Sequence, residues 1–271
     1  MRLACIGIGS NAIRLLIAQW TQGRLCAQRR ERRGTRLFAG LVNGALTEQS
    51  IRSSVEAVAE LAVLARRDGA QEIFVFATSA VRDASNGEDF TRRAEAASGT
   101  RIEIISGEQE AVLSYIGASE GGRCGVIDIG GGSTEFTIGE DEHTLGAVSL
   151  QMGAVRMNAQ TPVLRCEDYE ATVERCMNMI RRDAQALLSC PAAERWVGVG
   201  GTMTTLGAMQ KGVPLFDARL CEGMRVSRAD IIPSGIAILE AAMRMFGMEE
   251  LTLSAHGNMD GYLKKKFREM Y

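Results

Sequence analysis

The sequence predicts an α/β protein of two related halves, each a mixed sheet flanked by helices, with a cleft between them. Three observations carry this expectation. In residues 126–139, two short runs rich in Ile, Phe and Thr flank three adjacent glycines, Gly130, Gly131 and Gly132. Three glycines in a row cost backbone entropy on folding, and a backbone without Cβ atoms lets several N–H groups converge on an anion, usually phosphate. Asp128 upstream, with Ser133, Thr134 and Glu135 downstream, loads that turn with groups able to hold a metal ion or position a water. The second observation is an internal repeat: Ile6-Gly7-Ile8-Gly9-Ser10 aligns with Ile127-Asp128-Ile129-Gly130-Gly131 at an offset of 121 residues. Each copy reads as strand, glycine turn, strand, and each half is expected to open with a hairpin whose turn faces the cleft. The third is the nearly all-apolar run at residues 72–77, the pattern of a strand covered on both faces.

Taken in order, residues 3–9 and 13–20 read as the first hairpin, with Ser10 and Asn11 at its corner, and Gln22-Gly23 turns the chain toward a strand at 25–28. Residues 29–36 are densely basic, equally consistent with a strand edge and with a contact for a polyanion at the cleft mouth. Ile51, Val55, Val58, Ala62 and Ala65 recur at helical spacing behind a Thr47 cap, predicting a helix over 47–68. The strand at 72–77 runs into Thr78, Ser79 and Arg82, placing polar groups at a carboxyl end, where α/β sheets bind ligands, so Arg82 is a candidate phosphate clamp. A helix at 89–98 and a strand at 101–105 follow. The next helix opens on Glu108, Gln109 and Glu110, residues that suit a helix N-terminus; spacing alone leaves Glu108 and Glu110 as alternative general bases. Residues 120–123 suggest a linker between the halves, giving units at 1–119 and 120–257, with a terminal helix at about 258–271 packing back on the first. The second half then reads as a hairpin strand at 143–150, one long helix over 167–188 and a strand at 195–199. Gly200, Gly201 and Thr202 enter a helix there and can offer N–H groups and a hydroxyl to another anion. A helix at 229–246, a short strand at 251–254 and a helix at 260–268 complete the chain.

Bulk properties exclude several classes. The 271 residues suffice for a large core without staples, and 46% hydrophobic with 24% charged residues is ordinary for a globular protein. A net charge of −2 supplies no field toward nucleic acid or a membrane surface, and no apolar stretch reaches the ~18 residues of a membrane span. Seven scattered cysteines without C-x-x-C spacing read as buried thiols in a reducing cytosol, which points to a cytoplasmic protein. With only His143 and His256 present, a multi-histidine metal centre and a Ser-His-Asp triad are both disfavoured.

Five segments, in this order, resemble the exopolyphosphatase / guanosine pentaphosphate phosphohydrolase (Ppx/GppA) family: Ile-Gly-Ile-Gly-Ser-Asn (6–11), Ala-Thr-Ser-Ala-Val-Arg-Asp-Ala (77–84), Ile-Ser-Gly-Glu-Gln-Glu-Ala (105–111), Asp-Ile-Gly-Gly-Gly-Ser-Thr-Glu (128–135) and Gly-Val-Gly-Gly-Thr (198–202). Residues 228–235 add a sixth. The resemblance implies two actin-like (ribonuclease H-like) lobes and hydrolysis of terminal phosphoanhydride bonds in polyphosphate or guanosine pentaphosphate, with Mg²⁺ or Mn²⁺. It assigns Glu110 to activating the attacking water and Asp128 and Glu135 to the metal. Gly9, Ser10 and Asn11, and Gly130 to Ser133 with Thr134, become phosphate turns, with Arg82 the phosphate-binding arginine. The chain departs from the pattern twice. Gly7 stands where the family carries Asp, so an acid reinstated at residue 7 is expected to tighten Mg²⁺ dependence. A helical segment near 224–228 is missing, which would leave apolar surface for a homodimer contact. These departures motivate an alternative, a catalytically weak phosphate- or nucleotide-binding regulatory protein; a small-molecule kinase is the third reading.

Overall fold

The computed structural model describes residues 1–211 and 230–270. The expected gap near 224–228, and Cys221, lie outside the described residues. The chain divides into two compact units, Met1–Glu110 with Met259–Tyr271, and Ala111–Asn258.

In the first unit, β1 (Arg2–Ile8), β2 (Ile13–Thr21) and β3 (Arg24–Arg33) form an antiparallel meander, its second turn made by Gln22 and Gly23, both at positive φ. Such a turn matches the right-handed twist of its flanking strands. After a 3-10 turn (Leu37–Gly40) and a small hairpin of β4 (Leu41–Val42) and β5 (Ala45–Leu46) comes α1 (Glu48–Arg67), capped by Thr47, whose hydroxyl accepts from the Ser50 N–H. Then follow β6 (Glu72–Ala77), α2 (Ser79–Arg82), α3 (Gly87–Ser98) and β7 (Ile102–Ile104); α4 (Gly107–Ala118) begins in this unit and belongs to the second from Ala111 onward. The sheet order is β3-β2-β1-β6-β7, antiparallel on one side of β1 and parallel on the other.

The second unit repeats this plan. β8 (Arg123–Ile129), β9 (Thr134–Glu140) and β10 (His143–Leu150) form its meander. Next come α5 (Ala154–Gln160), α6 (Cys166–Asp183), α7 (Gln185–Leu188), β11 (Arg195–Val199), α8 (Gly200–Lys211), α9 (Ile232–Phe246) and β12 (Thr252–Leu253). The order β10-β9-β8-β11-β12 matches the first sheet strand for strand, and β8 begins and ends 121 residues after β1, the offset of the sequence repeat.

In each unit a helix covers the face of the first strand that bears its odd- or even-numbered site position. α10 (Asn258–Met270) lies over the first sheet, with Phe267 against Trp20 and Tyr262 stacked on Phe76. In the second, Tyr115 and Ala118 of α4 pack with Cys124, Val126, Val197 and Val199. The other face of that sheet builds the larger core, with Ile127, Phe136 and Trp196 clustered with Cys176 and Ile180 of α6 and Ile238 and Ala241 of α9.

Two expectations are corrected, and one helix is added. The helix foreseen over 167–188 is two helices, because Ala184 leaves helical dihedrals (φ −115°, ψ 23°) and the chain turns so that Leu187 is buried. Helix α5 falls in a stretch for which the sequence predicts no element. The cysteines are mixed: Cys5, Cys124 and Cys176 are buried, with burial pushing the Cys176 thiol up to about 12, whereas Cys26 and Cys166 are exposed.

Candidate functional site

The two glycine turns close alike. The Gly9 N–H donates to the Ala12 carbonyl (3.2 Å), and the Gly130 N–H donates to the Ser133 carbonyl (3.0 Å), both residues shifted by the same 121. Each turn is then held by its carbonyls. In the first, the Phe38 N–H donates to Ser10 O (2.8 Å) and the Arg36 N–H to Asn11 O (3.1 Å). In the second, the first turn of α5 does this: Ala154 N–H to Gly130 O (3.0 Å), Val155 and Arg156 N–H to Gly131 O (2.9 and 3.0 Å), and Arg156 Nε to Gly132 O (2.6 Å). A trans peptide points its carbonyl and the following N–H in opposite directions. Tethering these carbonyls therefore turns the amides of Asn11, and of Gly131, Gly132 and Ser133, away from the tethering segments. Among the described residues the N–H groups of Asn11, Gly131 and Gly132 have no acceptor, which is the condition of an anion cradle.

Around the first turn, the buried Ser10 and Ser79 hydroxyls lie 2.9 Å apart, tying the turn to α2, which ends at Arg82. Arg82 Nη1 donates to Ile105 O (2.9 Å) and lies 3.5 Å from Glu110 Oε2, while its Nη2 is buried with no hydrogen-bond partner among the described residues. A Ser106–Gln109 capping box starts α4, the Gln109 N–H donating to Ser106 Oγ and the Ser106 N–H to Gln109 Oε1. That start point buries Glu110 beside Arg82 and leaves Glu108 exposed, separating the two alternative bases.

In the second unit, Asp128 and Glu135 face each other across β8 and β9, so both carboxylates share one face of the sheet. Both are buried, and each is oriented by a serine: Ser114 Oγ donates to Asp128 Oδ2 and Ser149 Oγ to Glu135 Oε1, each at 2.7 Å. A Cβ on Gly200 would lie 2.5 Å from Asp128 Oδ1, and Gly200 has φ +93°, so this glycine makes room for the acid. Thr134 is committed to the Met152 carbonyl (2.5 Å). The Thr202 side chain sits against Gly235 of α9, and the Gly201 carbonyl accepts from Thr204 and Thr205 within α8.

One residue escaped the sequence reading. Gly7 pairs with Arg14 in the register where Asp128 pairs with Glu135, and both pairs are 121 residues apart. Arg14 is thus the first unit's counterpart of Glu135, exposed on the face that carries Gly7. The repeat could have found it, had the alignment been carried past the turn. Arg29 to Arg33 lie in the edge strand, where Arg29, Arg30 and Arg33 pair with Asp68, Asp260 and Glu60.

Comparison with known proteins adds to this geometry. The family model described as the Ppx/GppA phosphatase family matches residues 16–217. This chain belongs to the Ppx/GppA phosphatase family. It is 30% identical to exopolyphosphatase 2 of Mycobacterium tuberculosis, over 96% of this chain and 97% of that protein. It is 27% identical to the guanosine-5′-triphosphate,3′-diphosphate pyrophosphatase of Vibrio vulnificus, covering 98% of this chain but 59% of that longer one. The crystal structure of the Aquifex aeolicus Ppx/GppA family member superposes with a TM-score of 0.82 at 26% identity, covering 100% of this chain and 98% of that one.

Within this Ppx/GppA chain, Asp128 and Glu135 fit a magnesium site of the sparse kind. Mg²⁺ is commonly bound through one or two carboxylates, with waters and substrate phosphates completing its shell. Among the described residues no group of three or more His, Cys, Asp or Glu side chains is placed to hold a metal by itself. Nor is any described helix long and apolar enough to cross a membrane.

Proposed function

We propose that this chain is a metal-dependent phosphohydrolase that releases terminal phosphate from inorganic polyphosphate or guanosine pentaphosphate, acting in the cytoplasm. The observation that carries the reading is the pair of glycine turns with tethered carbonyls and outward amides, accompanied by the buried Glu110 and Arg82. The names of the relatives favour the same chemistry. Phosphoryl transfer needs positioning and charge neutralisation more than covalent help. Asn11 N–H and the amides of Gly131, Gly132 and Ser133 hold phosphate oxygens, and Arg82 and Arg14 add cationic contacts. Glu110 takes a proton from a water whose oxygen forms the new bond to the terminal phosphorus. The bridging P–O bond breaks, and the shortened phosphate chain leaves with that bond's electron pair. Mg²⁺ or Mn²⁺ held by Asp128 and Glu135 would neutralise phosphate charge.

Phosphate release from polyphosphate and from guanosine pentaphosphate, with Mg²⁺, tests this in wild type and Glu110→Gln. Release by the wild type that the variant lacks is the expected result. The same background release from both proteins would select the alternative, a phosphate-binding regulatory member, which Gly7 favours because it removes one acid from the first turn.

A further inference from the structure

The two five-stranded sheets end on four edge strands, and three of these are guarded. β7 and β12 are three and two residues long, too short to template a further strand. β3 is ten residues long, but it carries Arg24, Arg29, Arg30, Glu31, Arg32 and Arg33, and charge along an edge opposes an added strand. β10 has neither defence. Its eight residues, His143–Leu150, include no Asp, Glu, Lys or Arg. Among the described residues only β9 pairs with it, and no hydrogen bond from any other segment reaches the backbone of residues 143–149. The strand is nonetheless firmly set. Val148 and Leu150 pack into the core that α6 and α9 complete, and a Cβ on Gly146 would meet Leu187 Cδ1 and Cys190 Sγ at 3.0 and 3.1 Å. Its first three residues are exposed, and Leu145, 45% exposed, sits at a bulge between Thr144 and Gly146. A guarded edge would carry a lysine or a proline there; this one carries a leucine.

We propose that β10 is the joint of a homodimer, in which the strands of two copies pair antiparallel about a two-fold axis and the second-unit sheets run on as one. Three arguments choose a second copy as the occupant. Strand addition is held by main-chain hydrogen bonds, and an uncharged strand meets its own copy with no like charges opposed. A two-fold joint needs one self-complementary patch, which a single edge strand supplies. The chain enters β10 through Glu140, Asp141 and Glu142, and antiparallel pairing leaves the two copies of this acidic turn at opposite ends of the joint. Eight residues of strand separate them by about 27 Å, well beyond the ~8 Å over which salt screens exposed charges. Parallel pairing would set the two turns side by side. A standard interface has about 20–30 residues a side, more than this strand offers, so the dimer is weak and forms as concentration rises. The joint is independent of the reaction and separate from the contact expected near residues 224–228.

Sedimentation velocity and hydrogen exchange on the full chain, each run from low micromolar to near-millimolar protein, test the joint. The wild type is expected to pass from monomer to dimer with no larger species. Amides of residues 143–149 should exchange more slowly as the dimer forms, while those of β3 stay unchanged. Thr144→Lys and Leu145→Lys install the kind of charge that guards β3, and each lysine enters a two-fold joint twice. Either should raise the dissociation constant about tenfold. Val63→Lys, at an exposed apolar position of α1, should leave it unchanged. A chain that stays monomeric at every concentration would overturn the proposal. So would a dimer whose exchange over 143–149 ignores concentration, or one that both lysine variants of β10 leave intact. Growth into open-ended polymers would overturn the two-fold pairing. Exchange in the wild type decides the matter even if a variant does not fold.

Discussion

The two units share a strand order, a register and a turn closure, yet the same two positions carry opposite chemistry. On β8 and β9 they hold Asp128 and Glu135; on β1 and β2 they hold Gly7 and Arg14. The covering helix follows suit. α4 offers the Ser114 hydroxyl to Asp128, whereas α10 offers the Met259 thioether to the space above Gly7. Backbone pairing fixes where these side chains stand, and the side chains alone decide whether the place suits a cation or an anion. One scaffold used twice thus carries a glycine and an arginine at these positions in the first unit and two buried carboxylates in the second.

The comparison breaks most decisively at the base. Glu110→Gln is expected to lower phosphate release by about 10²–10⁴-fold, the usual worth of a positioned general base, with tripolyphosphate binding retained. Asp128→Asn, in the second unit, should act differently: it removes one of two candidate metal ligands, so Mg²⁺ dependence shifts to higher concentration and activity is partly recovered by excess metal. If both variants lost activity with unchanged metal dependence, the division of labour between the units would fail.

The turns respond unequally to a single methyl. A Cβ on Gly153 would fall 2.3 Å from the carbonyl carbon and oxygen of Gly131 and 2.4 Å from Gly132 N, all backbone atoms. Gly153→Ala should therefore displace the second turn and cost about 3 kcal/mol, in line with overpacking. By the usual scaling that is a fall of about 5–10 °C in melting temperature, with loss of activity. In the first unit, a Cβ on Gly9 meets only the Ala12 carbonyl oxygen, at 3.1 Å, and Gly9→Ala should cost well under half as much. Equal losses in thermal melts would mean that α5 does not tether its turn more tightly than residues 36–38 tether theirs.

How much of this was written in the sequence depends on the range of the interaction. The hairpins, the glycine turns and Thr47 as a cap were legible because each signal is local: alternation, a run of glycines, a hydroxyl ahead of an apolar periodicity. The offset between Ile6 and Ile127 carried the duplication, since a repeated strand-turn-strand keeps its spacing. What escaped was tertiary. Helix α5 is seven residues long and too short for a periodic signal, although its amides hold Gly130 and Gly131. Arg14 is one charge in an apolar strand and acquires meaning only through its partner Gly7. The choice between Glu108 and Glu110 needed the capping box to set the helix phase, and the turn of Thr202 toward Gly235 needed α9 in place.

The smallest expected effects sharpen the comparison best, because they change one atom beside each turn. Ser114 Oγ donates to the Asp128 carboxylate, and Ser10 and Ser79 share a hydrogen bond between neutral hydroxyls. Hydrogen bonds to charged groups contribute about 1.5–3 kcal/mol and neutral ones about 0.5–1.5 kcal/mol. Ser114→Ala should therefore lower the melting temperature more than Ser79→Ala. It should also weaken Mg²⁺ binding measured by titration, because Asp128 loses the donor that fixes its Oδ2. Ser79→Ala should leave Mg²⁺ affinity alone and raise KM for polyphosphate, since it frees the first turn from the helix that ends at Arg82. Were Ser79→Ala to shift Mg²⁺ affinity as far as Ser114→Ala, the first turn would be part of the metal's surroundings, and the contrast between an acid-bearing and an arginine-bearing unit would have to be redrawn around Gly7.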